Sequence, residues 1–207
     1  MKFIDQLKEK AKQNKKTIVL PETSDMRTIE AAGKVLAEGI ANIILVGDKE
    51  DIMSRAGDID LSGASFVDPK NYEKFDEYVD AFVEMRRKKG MTEARAKELL
   101  LTNPLYFGCM MVKQDDADGM VAGAINASAD VLRAALQTLK TAPGTRIVSA
   151  FFLVVVPDCQ YGANGTFVFA DAGLNQSPSA SELADIAEQS AKSFELLVDE
   201  TPVVAML

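Results

Sequence analysis

Residues 17 to 46 constrain the fold more than any other stretch. Thr17 to Leu20 is a short apolar run stopped by Pro21, and Glu22 to Asp25 reads as a polar turn. Beyond it Ile29, Ala32, Gly33 and Leu36 recur at spacings of three and four, Gly39 closes the helix they describe, and Ile43 to Val46 is a second apolar run. Strand, helix and strand in that order imply two parallel strands joined by a right-handed crossover. The chain is therefore expected to be α/β, with a mainly parallel sheet between layers of helices.

The rest of the chain extends this pattern. A basic amphipathic helix precedes the first strand, and a weaker strand near Ser65 to Val67 leads into a helix from about Tyr72 to Lys89. Phe75, Tyr78, Val79, Phe82 and Met85 form its buried side, and Gly90 ends it. Thr92 is the expected N-cap of the next helix; its N3 residue is Arg95, so the full capping box is missing. Cys109 falls in an apolar helix and reads as core.

Ile147 to Val156 is an almost continuous apolar run, as expected for a strand covered on both faces. The loop from Gln160 to Gly165 should return the chain antiparallel into Thr166 to Ala170. Ser179 to Glu182 has the pattern of a capping box, followed by a helical stripe of Leu183, Ile186, Ala187, Ser190, Ala191 and Phe194. Pro202 is expected to open a last strand, Val203 to Leu207. A buried strand with no helix after it leaves a sheet face uncovered, so the chain is expected to be the N-terminal part of a longer protein. Its first domain should span residues 1–143, and residues 144–207 should begin an incomplete second one.

Composition excludes several functions. With 31 acidic against 23 basic residues the formal charge is −8, which argues against nonspecific binding to nucleic acid or membrane surfaces. The N-terminal segment lacks a signal peptide's apolar core and no apolar run is long enough to span a bilayer, so a cytoplasmic protein is expected. Cys109 and Cys159 are too few for a disulfide framework. The chain has no histidine, which removes the commonest general base and metal ligand together; no metal site is expected. Neither a GxGxxG fingerprint nor a P-loop is present.

Two stretches carry the chemistry. AGAINASADVLRAALQTLKTAPG, from Ala122 to Gly144, and FVFADAGLNQSPSASELADIAEQSAKSF, from Phe167 to Phe194, each read as a strand ending in a small-residue turn that feeds a helix. In the first, Ser128 is the expected N-cap and Arg133 lies in the second turn. Free backbone N–H groups, a hydroxyl and a guanidinium would then converge on one phosphoryl group, with Asn126 adding an amide donor. The competing reading of Arg133 is an exposed ion pair with Asp130, and that of Ser128 is capping alone. Arg86 belongs to a run of four basic residues at a helix C-terminus, where cations complement the helix dipole. Cys159 reads as an incidental loop thiol, since Asp158 beside it disfavours a thiolate. Asp171 is open between binding a ligand and capping a turn.

Six segments in order resemble the phosphate acetyltransferases: TIVLPETSDMRTIEAA, EMRRKKGMTEARA, NPLYFGCMMV, DADGMVAGAINASADVLRAALQTLKT, FVFADAGLNQSPSASELADIAEQSA and PVVAML. The resemblance runs along nearly the whole chain. It implies a two-domain, three-layer α/β/α enzyme, a homodimer that moves an acetyl group between coenzyme A and phosphate. Coenzyme A would be a substrate, with no tightly bound cofactor, and nucleic acid and membrane would not be partners. It further implies that Arg133 faces the phosphate or coenzyme A, that Arg86 is the matching arginine of the basic run, and that Ser128 and Asn126 line the same site. By the same analogy the thiol of coenzyme A attacks the acetyl carbonyl with no acyl-enzyme, the general base lies beyond Leu207, and these residues alone would be inactive. One departure stands out. Ala127-Ser128 replaces the Ser-Thr usual before Ala-Asp in that family. A phosphate butyryltransferase, and an acyl-coenzyme A-sensing regulatory domain such as those fused to some malic enzymes, remain the alternatives.

Overall fold

A computed structural model describes residues 3–206. After helix α1 (Phe3–Gln13) come β1 (Lys16–Leu20), α2 (Met26–Glu38), β2 (Ala41–Val46), α3 (Lys49–Ala56) and β3 (Ser65–Val67). Four helices follow around a short fourth strand: α4 (Phe75–Arg86), α5 (Glu93–Thr102), α6 (Pro104–Lys113), β4 (Gly119–Met120) and α7 (Ser128–Thr138). The four strands form one all-parallel sheet in the order β3-β2-β1-β4, with Ile18 opposite both Ile43 and Gly119. The crossover expected between residues 17 and 46 is present, and Gly39 ends α2 in the left-handed conformation at φ 68°.

Alternation along β2 shows why the sheet needs helices on both faces. Ile44 and Val46 join Val19 in a cluster with Tyr78, Val79, Phe82 and Phe107. Ile43 and Leu45 join Leu20 in a second cluster with Ile29, Ala32, Ile52 and Leu61. Successive side chains of a strand point to opposite faces, so buried residues in succession require two covering layers. One layer is α2 with α3; the other is built from α4, α5, α6 and α7. Helix α6 approaches the sheet closely because of Gly108, where a Cβ would stand 2.8 Å from Met120 Sδ and 3.3 Å from Val19 Cγ1. Helix α3 is an element the sequence reading passed over, although Asp48 caps it through the Asp51 amide at 2.8 Å and Gly57 ends it.

Packing divides the chain into a larger unit, Ile4–Lys140, and a smaller one built mainly from Thr141 onward. In the smaller unit β5 (Phe151–Val155) and β6 (Thr166–Ala170) pair antiparallel, and α8 (Ala180–Val198) packs against β6. The expected capping box is present: Ser179 Oγ accepts from the Glu182 amide, and Glu182 Oε2 accepts from the Ser179 amide at 2.7 Å. Two expectations fail here. The strand covered on both faces is shorter than residues 147–156, and its Phe152, directly opposite Phe169, is exposed. A run of apolar residues reports burial only if a second layer exists, and α8 supplies one layer. Residues 203–206 form no strand, because no pairing edge receives them; Leu207 lies outside the described residues. Among the described residues no helix is long and apolar enough to cross a membrane.

A polar lock joins α4 to the turn after α6. Asp116 accepts from Tyr78 Oη at 2.5 Å, from Tyr72 Oη at 3.2 Å and from Lys74 Nζ. Burial opposes ionisation of Asp116, but the hydrogen bonds from Lys74, Tyr78 and Tyr72 outweigh it and hold the carboxyl below its usual range. Replacing Asp116 by Ala should lower the denaturation free energy by about 1–3 kcal/mol, the cost of leaving buried donors unpaired. A depressed folded-state pKa contributes stability above the unfolded value and loses it as pH falls through the folded one. The difference between variant and parent, read by urea denaturation, should therefore be full at pH 7 and shrink below about pH 4.

Candidate anion-binding site

The crossing of the chain from one side of the sheet to the other places β1 beside β4, and in α/β folds the crevice at such a switch lies off the carboxyl ends of the strands. Here the segments after β1 and β4 meet there. Glu22 leaves the end of β1 only 2% exposed, and its carboxylate enters the loop that joins β4 to α7. Oε2 accepts from the amides of Gly123 and Ala124, both at 2.6 Å. Oε1 accepts from the amides of Ile125 at 3.2 Å and Asn126 at 2.9 Å, and from Asn126 Nδ2 at 2.7 Å. Gly123 permits this concave run of N–H groups because the backbone turns there through φ 110°. Burial opposes the Glu22 charge, yet the side chain of Asn126 and the amides of Asn126, Ala124 and Ile125 lower its pKa to about 2.

The same two segments are tied once more with opposite polarity. Arg27 donates to the Ala124 carbonyl at 2.5 Å and is itself held by Asp25 at 2.7 Å. The β1–α2 turn thus satisfies both the donors and an acceptor of the β4–α7 loop. That loop is ordered by the protein's own carboxylate.

This geometry revises the sequence reading of the site. Ser128 is the first residue of α7, and the N-cap is Ala127 at φ −64° and ψ 148°, with no side-chain hydrogen bond. Asn126 faces Glu22, so its amide donor is engaged within the protein. The amides of residues 123–126 are engaged in the same way. Arg133 pairs with Asp130 at 2.6 Å, and its side chain remains 57% exposed. Arg86 ends α4 just before a 3-10 turn, Arg87–Lys89, that closes at Gly90. Among the described residues its Nε is the buried side-chain polar atom left without a hydrogen-bond partner. Arg87 instead turns outward to Glu84 at 2.6 Å. An unpaired buried N–H on a guanidinium is costly unless an anion meets it.

The remaining candidates lie in the smaller unit. Asp171 accepts from the amides of Gly173 and Leu174 at 2.8 and 2.7 Å and from Asn175 Nδ2 at 2.5 Å, so it caps a turn. Cys159 is half-buried, with Sγ 4.0 Å from the Tyr161 carbonyl. An open cleft of about 410 Å³ at the ends of β1, β2 and β3, lined by Thr23, Ser24, Asp48 and Lys70 among others, holds none of the predicted residues. Sequence reasoning missed Glu22. Its signal was an acidic residue placed directly behind the proline that stops a buried strand.

A family model described as phosphate acetyl/butaryl transferase matches residues 2–207. The chain belongs to that family. It is 53% identical over 207 residues to the phosphate acetyltransferase of Acetivibrio thermocellus, covering all of this chain and 62% of that protein. The phosphate acetyltransferase of Thermoanaerobacterium thermosaccharolyticum is 52% identical, with 63% of its length covered. Among solved structures, the EutD phosphotransacetylase from Staphylococcus aureus superposes with a TM-score of 0.84 at 36% identity, over 94% of this chain and 57% of that one. A phosphotransacetylase from Streptococcus pyogenes gives the same score at 35% identity, over 94% of this chain and 58% of that one. The chain thus spans somewhat more than three fifths of the length of these curated family members.

Two substitutions test the loop. Glu22→Gln replaces an acceptor by an amide that must point an N–H at other N–H groups, and should cost about 1–3 kcal/mol of stability. Because the folded pKa of Glu22 is depressed to about 2, its contribution is present above about pH 4.3 and fades toward pH 2. The thermal shift between parent and variant should therefore be large at pH 7 and small near pH 2. Ala127→Ser supplies the missing cap of α7 and should raise stability by about 0.5–2 kcal/mol, read as an increase in Tm.

Proposed function

We propose that the protein is the N-terminal part of a phosphate acetyltransferase, in which Arg86 and Arg133 bind the anionic groups of acetyl phosphate and coenzyme A. The observation that carries this reading is the 53% identity, over the full chain, to a protein of that name. The reaction transfers the acetyl group from phosphate to the sulfur of coenzyme A: the thiol loses its proton to solvent, the C–S bond forms, the bond from the acetyl carbon to the phosphoryl oxygen breaks, and inorganic phosphate leaves with the bonding pair. Both substrates are anions. Bringing them together requires positive charge and orientation more than a nucleophile of the protein's own.

The geometry is compatible with that demand. Helices α4 and α7 pack on one side of the sheet and each brings one arginine. The Arg133–Asp130 pair is exposed, and such pairs are worth about 0.2–1 kcal/mol, so a phosphoryl group can displace the carboxylate at small cost. Ser128 contributes an exposed hydroxyl at the first position of α7, where the uncapped end of the helix favours negative charge. On this reading coenzyme A is a substrate, no cofactor is held tightly, and the enzyme is a cytoplasmic homodimer. The formal charge of −8 leaves the anion site dependent on these local arginines.

The test is formation of acetyl-coenzyme A from acetyl phosphate by the gene product at its native length. Turnover with acetyl phosphate in preference to butyryl phosphate is expected, and absence of acyl transfer to coenzyme A would overturn the proposal. Arg133→Ala should reduce kcat/KM by roughly ten- to a hundredfold, the equivalent of a charged hydrogen bond worth about 1.5–3 kcal/mol, with little change in Tm.

A further inference from the structure

Arg86 and Arg133 stand on different helices, and an anion that uses both requires those helices to be held at a fixed separation. Within the core cluster the two helices share, Tyr106 makes a specific contact with each. Tyr106 of α6 is 7% exposed, and its ring packs on that of Phe82 in α4, with centroids 5.7 Å apart. Its hydroxyl donates to Gln137 Oε1 of α7 at 3.0 Å. Phe82 precedes Arg86 by four residues and Gln137 follows Arg133 by four, so each contact lies one helical turn from an arginine on the same face. Tyr106 also lies within the field of both guanidiniums: burial raises the pKa of its hydroxyl, and the charges of Arg133 and then Arg86 oppose that shift.

We propose that Tyr106, acting through Phe82 and Gln137, is a positioning residue that holds Arg86 and Arg133 at the spacing needed to grip one phosphoryl anion. The inference rests on the reading of the two arginines as the anion site. Tyr106 touches neither the substrate nor the reacting atoms in this role. Its ring supplies bulk that a phenylalanine would also supply. The hydroxyl adds one directed bond to the apolar packing of α7 on α6, and the effect sought is therefore that of one oxygen atom.

The experiment is a calorimetric titration of inorganic phosphate into the protein, run well below the Tm of every variant. The variants are Tyr106→Phe, Gln137→Met, Arg86→Ala, Arg133→Ala and the double change of Tyr106→Phe with Arg133→Ala. Tyr106→Phe is expected to weaken phosphate binding by about three- to tenfold, the range for one neutral hydrogen bond, and Gln137→Met to do the same without touching the tyrosine. In the Arg133→Ala background the tyrosine change should have no further effect, because a hydroxyl that acts through Gln137 on Arg133 loses its influence when that arginine is gone. A merely structural tyrosine would lower Tm in both backgrounds and leave the affinity of the folded protein unaltered. Weakened binding by both arginine variants, with full affinity in Tyr106→Phe and Gln137→Met, overturns this inference and leaves the functional reading standing. Full affinity in both arginine variants overturns that reading itself. If Tyr106→Phe does not fold, Gln137→Met decides.

Discussion

The carboxylate of Glu22 determines how the β4–α7 loop is built. Four consecutive backbone N–H groups and one side-chain amide converge on its two oxygens, and a single buried charge thereby fixes the path of residues 123–126. Such runs of N–H groups at the start of a helix form anion-binding concavities elsewhere. Here the anion is supplied in cis. The start of α7, and with it the direction in which Arg133 leaves the helix, depends on a residue roughly a hundred positions earlier in the chain.

That arrangement separates two jobs which sequence patterns merge. A small-residue turn before an amphipathic helix was read as the place where a phosphate sits on backbone amides, with Ser128 as cap and Asn126 as donor. The turn and helix are as expected, but the amides and Asn126 serve the fold, and the cap position belongs to Ala127. On the proposed reading a ligand is met chiefly by guanidinium chemistry: Arg133 lies in an exposed pair, and Arg86 has a buried Nε with no hydrogen-bond partner among the described residues. A bidentate donor of this kind suits a phosphoryl group well, and two such donors on adjacent helices suit it better.

The parallel sheet was legible because its evidence is local. Two apolar runs around a helical stripe and a left-handed glycine leave few alternatives, and the strands Thr17–Leu20 and Ile43–Val46 are present within a residue or two. The capping box at Ser179 and the antiparallel return into Thr166 were legible for the same reason. What failed depended on distant partners. The run at residues 147–156 could not report whether one layer or two would cover it, and residues 203–206 could not report whether an edge would receive them. Glu22 looked like part of a surface turn because its five donors lie in another segment. Tyr106 carries no signal of its own in NPLYFGCMMV, and its hydroxyl finds Gln137 only after α6 and α7 pack together.

The central claim is that guanidinium groups, with the backbone nest already filled by Glu22, receive the substrate anion. It is tested most directly by titrating inorganic phosphate into uniformly ¹⁵N-labelled protein while following the amides of residues 123–126 and the Nε–H signals of the arginines. The account predicts saturable shifts at Arg86 and Arg133 Nε while the amides of Gly123, Ala124, Ile125 and Asn126 keep their positions. Saturable shifts of those four amides, with the arginine Nε signals unmoved, would contradict it.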